Sequence, residues 1–160
     1  MRDFTLLGFI EHIAVMGAEM VVAEHEGLEK GAQIIEIEAK SSMGSYQAEA
    51  SPFAAWAPLA ESTKRDRVRQ GYPEDEPELR SGRLRDTIEH VVIGHEAEIG
   101  SNDPIFEDQE LGTARIPARS ILGGAAVRKA DEVAELIGED VVLALMGGRT
   151  IIHRIESGIP

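Results

Sequence analysis

Cysteine is absent from the 160 residues, which excludes a disulfide framework, a thiolate metal site and a thiol nucleophile. Aromatic residues make up only 4%, so any core must be filled by Leu, Ile, Val, Ala and Met rather than by large rings. Basic side chains are few, 16 against 29 acidic ones, and the formal charge of -13 argues against general attraction to nucleic acid or anionic membrane. Long hydrophobic runs are also lacking. The apolar start is interrupted by Glu11, His12 and Glu19 and has no basic leader with a cleavage site, so it is read as neither signal peptide nor membrane span.

What is present is 42% hydrophobic residues, enough for one moderate core and a single domain over 1–160. Phe4, Leu7, Ile10, Ala14, Met16 and Val21 recur at helical spacing with Asp3 as N-cap. A second helical stretch through Leu28, Ile34, Ile35 and Ala39, weakened by Gly27 and Gly31, gives two helices or one bent helix over 1–44. Residues 45–82 are rich in Pro and Gly and read as a long loop carrying a short helix from Pro58 to about Gln70. In 83–122, Leu84–Ile93 and His95–Ile99 read as a hairpin turning at Ile93-Gly94-His95-Glu96, followed by an irregular stretch from Ser101 to Ser120. Ala126, Ala130, Val133, Leu136, Ile137, Val141 and Leu145 share one face of a helix from about Gly124 to Met146, within 123–147, ended by Gly147-Gly148. Residues 148–160 read as a C-terminal arm. The fold class is α+β: a small, mainly antiparallel sheet packed with an N-terminal helical segment and a long C-terminal helix.

Residues able to carry chemistry do not converge on a reaction. His90 and His95 are near enough to share the hairpin, but strand alternation puts them on opposite faces unless the turn reverses this, and no third ligand motif accompanies them. Glu89, Glu96 and Glu98, with Asp86 and Asp103, have no fixed pairing for acid/base work. No phosphate-cradling loop, nucleophile elbow or His-Glu-x-x-His element occurs. No catalytic residue, metal site or cofactor is therefore expected. Lys64, Arg65, Arg67 and Arg69 form the single basic cluster, diluted by Asp66, and fit a solvated helix or a subunit contact better than a DNA site.

Three blocks carry a resemblance. Trp56-Ala57-Pro58-Leu59-Ala60-Glu61-Ser62-Thr63-Lys64 is followed by Leu79-Arg80-Ser81-Gly82-Arg83-Leu84-Arg85-Asp86-Thr87-Ile88. Glu110-Leu111-Gly112-Thr113 and Ile116-Pro117-Ala118-Arg119-Ser120-Ile121-Leu122-Gly123 make the third. In order and spacing they resemble the phage virion morphogenesis, or tail completion, family and its head-tail joining relatives. The likeness spans roughly residues 40 to 130; Phe106, Asp108 and Gln109 depart from the family's usual residues ahead of the glycine.

The resemblance implies a structural virion protein of a tailed bacteriophage, not an enzyme: a tail completion, tail terminator or neck ring subunit assembled in the host bacterial cytoplasm. Its implied partners are further copies of itself, commonly six in a ring, with the tail tube and head-connector proteins above and below. Genome DNA would pass through the channel without specific binding, past repelling Asp and Glu, and no membrane would be involved. Trp56, Pro58, Leu59, Lys64, Arg65, Arg67, Glu110, Arg115 and Arg119 are the expected subunit-interface residues. The Arg119 fork has two readings, holding a carboxylate or carbonyls of an adjacent subunit or capping a turn of its own domain. On the first, Arg119→Ala leaves the subunit folded and weakens assembly. The alternatives are a small metal-dependent hydrolase using His90 and His95, and an assembly chaperone or partner-binding module.

Overall fold

The computed structural model describes residues 6–145, and side-chain surroundings from residue 10 to 145. Asp3 as an N-cap, the Gly147-Gly148 stop and the arm at 148–160 lie outside the described residues. Helix α1 (Leu6–Ser42) runs unbroken. Its two interior glycines are close-approach points for α5 (Leu122–Leu145): a Cβ on Gly27 would sit 3.4 Å from Ile137 and one on Gly31 2.9 Å from Val133. Packing against the second long helix thus offsets the low helix propensity of glycine, and the break into two helices does not occur. Contacts at 27–137 and 31–133, with Lys30–Asp140 and Glu38–Arg128 ion pairs at 2.9 and 2.6 Å, run in opposite senses along the two chains. The helices are therefore antiparallel.

Between them the chain forms α2 (Glu61–Arg69), α3 (Arg83–Asp86), strands β1 (Ile88–Ile93) and β2 (Glu96–Ser101), and α4 (Pro104–Leu111). The α+β class holds, with a sheet of two antiparallel strands. The hairpin turns at Gly94-His95 with Ile93 paired to Glu96, and Gly94 has the positive φ of 63° that a tight two-residue loop needs. The first strand starts at Ile88 instead of Leu84, because Gly82 at φ 82° opens a helical turn that Thr87 Oγ closes on the Leu84 carbonyl. The short helix begins at Glu61, three residues later than expected, after an extended Ala60. Its predecessors Ala57 and Pro58 are held by their carbonyls, as described below.

The stretch Ser101–Ser120 is not irregular throughout. Asp103 accepts from the Ile105 amide at 3.0 Å and Pro104 occupies the first turn, so α4 is capped by the residues that read as a turn. Ala39, Met43, Trp56, Ile88, Phe106, Ile121 and Ala125 form the core, where α1, the loop, β1, α4 and α5 meet. No helix among the described residues is long and apolar enough to cross a membrane.

Candidate functional site

Residues of the three sequence blocks, as far as 64 positions apart, meet on one side of this core. Arg119 lies at their crossing with its side chain 6% exposed. Its Nε and Nη2 donate to the Ala57 carbonyl at 3.1 and 3.0 Å, Nη2 reaches Pro58 O at 3.4 Å, and Nη1 donates to Glu78 Oε1 at 3.2 Å. The guanidinium therefore holds its own chain. Of the two readings of Arg119, the intrachain one matches the geometry, and the fork is not free to reach a neighbouring subunit.

Glu78 is equally enclosed, 4% exposed, with a backbone φ of 60° that a non-glycine residue adopts only under constraint. Burial pushes its carboxyl above the ordinary range, and the opposing pull of Arg119 and then Arg67 does not reverse this. The Gln109 amide nitrogen, turned toward it, donates to both carboxylate oxygens at 3.0 and 3.2 Å. Gln109 also accepts from the Arg119 amide at 2.8 Å, which ties α4 to the third block.

Glu110 has a different task. Its carboxylate accepts from the amides of Ile121, Leu122 and Gly123 at 2.6, 3.0 and 3.0 Å and from Ser120 Oγ at 2.6 Å. An anion on the unpaired amides of the first turn of α5 caps that helix and meets the positive end of its dipole. This explains why α5 begins at Leu122, ahead of the expected Gly124. Trp56 is 5% exposed and donates through Nε1 to Ser120 O at 3.2 Å, joining the first block to the third. Gly112, at φ 74°, leaves room for the loop to fold back: a Cβ there would be 2.6 Å from the Ala118 backbone nitrogen.

The remaining expected interface residues divide between interior and surface. Arg67 is buried and donates to the Leu79 carbonyl at 3.2 Å, and Leu59 is also buried. The basic cluster is accordingly no single exposed face: Arg67 is buried, Lys64 pairs with Asp75 at 3.4 Å, and Arg65 and Arg69 are exposed, the latter paired with Asp66 at 2.5 Å. Pro58 and Arg115 are exposed. Trp56, Leu59, Arg67, Glu110 and Arg119 are thus committed within the chain, whereas Pro58, Arg65 and Arg115 face solvent. Sequence reasoning missed Glu78 and Gln109, neither of which stands in a motif.

Pro58, Leu59, Arg67, Glu78, Arg115 and Arg119 are among the residues lining a groove of about 610 Å³ on this side of the molecule. The histidines lie elsewhere and both turn toward α1. His90 hydrogen-bonds Glu36 through Nδ1 and Glu29 through Nε2, the latter at 3.1 Å, and His95 Nδ1 lies 2.9 Å from Glu24. The exception allowed for the turn is the case found: His95 sits in the turn, outside the strand alternation, and reaches the same helix as His90. The hydrogen bond to Glu36, with that to Glu29, raises the His90 pKa above its ordinary value against a smaller opposing effect of burial. No group of three or more His, Asp or Glu among the described residues is arranged to hold a metal ion.

Comparisons with family models, with curated proteins and with solved structures give no match.

Proposed function

We propose that the chain is a structural subunit of a tailed-phage particle, a tail completion, tail terminator or head-tail joining protein that works as one member of a ring. The supporting observation is that the first and third blocks behind the resemblance interlock directly and the second is tied to them through the flanking residues Arg67 and Glu78. Arg119 binds the Ala57 and Pro58 carbonyls and Glu78, Arg67 binds the Leu79 carbonyl, and Trp56 binds Ser120.

Uncovered apolar surface favours association. On α1, Ile10, Ile13, Val15, Val21 and Val22 are each at least half exposed, and Val142 of α5 is 53% exposed. A soluble monomer seldom leaves that many large aliphatic side chains in water on adjoining helices. Within a ring they would be covered by neighbouring copies, and the tail tube and head connector would contact its two faces. The acidic balance suits a channel along which DNA slides without adhering.

Sedimentation and electron microscopy of the purified chain test the reading, together with a search for it in mature particles. Closed annuli and a particle-bound copy are expected. A protein that stays monomeric at every concentration and is missing from virions overturns the proposal.

A further inference from the structure

The groove and the hairpin are unlike surfaces that match each other. Five arginines line the groove against two acids, Glu78 and Asp103, in a chain whose formal charge is -13. Arg67 and Arg119 are engaged inside the chain and Arg80 pairs with Asp66 at 3.1 Å. Arg83, with its side chain 84% exposed and its nearest carboxylate, Asp103, 3.7 Å away, and the exposed Arg115 remain available. Leu59, Leu84, Ile105, Ile116 and Pro117 supply apolar lining between them.

The outer face of the hairpin has the opposite character. Its inner residues Ile88 and His90 turn to the core and α1, so the alternate positions Glu89, Val91 and Ile93 point outward, opposite Gly100, Glu98 and Glu96. Val91 is 48% and Ile93 62% exposed, and Glu89, Glu96 and Glu98 are exposed as well. Two aliphatic side chains framed by three carboxylates match an aliphatic groove edged by arginines. Since the inner face is clamped to α1, this outer face is not free to fold onto its own groove.

We infer that the groove receives the outer hairpin face of a second copy of this chain, Val91 and Ile93 entering the apolar lining while Glu89 and Glu98 meet Arg83 and Arg115. The inference rests on the ring reading and supplies its contact. Two different patches on each copy make a heterologous, head-to-tail junction, which closes into a ring when the rotation permits. Charge complementarity sets partner choice and register, and the aliphatic pair supplies the desolvated centre of the contact.

The test uses two charge-reversed full-length chains, Glu89→Lys with Glu98→Lys, and Arg83→Glu with Arg115→Glu. All four residues are exposed, so thermal unfolding of the first variant should match the parent, and that of the second should fall only slightly through loss of the pair that exposed Arg83 makes with Asp103. The parent should sediment at a multiple of 17.4 kDa, and each variant alone should fall to 17.4 kDa because its own two surfaces now repel. An equimolar mixture should regain the parent's mass, since lysine hairpins meet glutamate grooves and native hairpins meet native grooves. If each variant alone keeps the parent's mass, or the mixture stays at 17.4 kDa, this contact is overturned while an assembling parent leaves the ring reading standing. A parent chain that never assembles overturns both.

Discussion

Replacing Arg119 by Ala gives the sharpest check on the interlocked blocks. The substitution removes the cation from beside Glu78, whose side chain is 4% exposed, and strips the Ala57 and Pro58 carbonyls of their donors. Breaking a buried ion pair by deleting one partner costs about 3–5 kcal/mol, because the remaining charge stays buried without compensation. For a domain of this size that corresponds to a fall of about 6–20 °C in Tm. The cost depends on pH with a definite sign. Glu78 already binds its proton more tightly in the folded chain than in the unfolded one, and loss of Arg119 strengthens that preference. A carboxyl with a raised folded pKa contributes stability that is fully present below the ordinary value of 4.5 and lost as pH rises through the folded value. The deficit of Arg119→Ala is therefore greatest at neutral pH and shrinks on acidification, and adding Glu78→Gln should recover part of it. Urea unfolding of the parent, both single variants and the double variant between pH 4 and 8 measures all of this. A variant less than about 1 kcal/mol weaker at every pH refutes the burial argument. One that folds normally yet fails to assemble restores Arg119 to the subunit interface.

The other predictions follow from neighbouring contacts. Glu110→Ala deprives four donors at the start of α5 and should cost about 1–3 kcal/mol in chemical unfolding, with Glu110→Gln intermediate. Gly112→Ala should cost about 1–3 kcal/mol through backbone strain, because φ is 74° and the added carbon would meet Ala118 N at 2.6 Å; wild-type melting of this variant would contradict the loop geometry. His90 should titrate by NMR above 6.5, as its contact with Glu36 and Glu29 favours the imidazolium. The stability it contributes is present below the ordinary histidine value and lost as pH rises through the folded one, a dependence that His90→Gln should abolish.

Much of the scaffold was legible because its signals are local. The aliphatic face from Ala126 to Leu145 marks α5, and Gly94-His95 after a β-branched strand and before the alternating Ala97 and Ile99 marks the hairpin. Helix α4 was hidden in plain view: Asn102-Asp103-Pro104 signals a turn and a helix start equally well, and only the hydrogen bond from Ile105 to Asp103 decides between them. Gly27 and Gly31 lower helix propensity by a rule that knows nothing of Ile137 and Val133. The candidate site was less legible. Glu78 and Arg119 are 41 residues apart, and a pairing made by tertiary packing leaves no periodicity to detect. Arg67 reads as part of a solvated or subunit-contact cluster because arginine is usually exposed, and the Arg119 fork has an intersubunit as well as an intrachain reading, yet each finds carbonyl acceptors inside.

Burial of these residues moves the argument about assembly outward. A guanidinium shared between Ala57, Pro58 and Glu78 has spent its fork, so Arg119 sets the shape of the groove and not what binds there. The same holds for Glu110, which fixes where α5 starts. In the proposed ring, contact with another copy falls to exposed residues, Arg83 within the second block and Arg115 between the two halves of the third. Mutations should accordingly separate into two groups: those at Arg119, Glu78 and Glu110 lower the melting temperature and impair assembly through it, whereas those at Arg83 and Arg115 alter native mass at nearly constant melting temperature. Uniform behaviour across both groups would mean that the interior and the docking surface are one and the same, which the enclosed geometry of Arg119 and Glu78 does not allow.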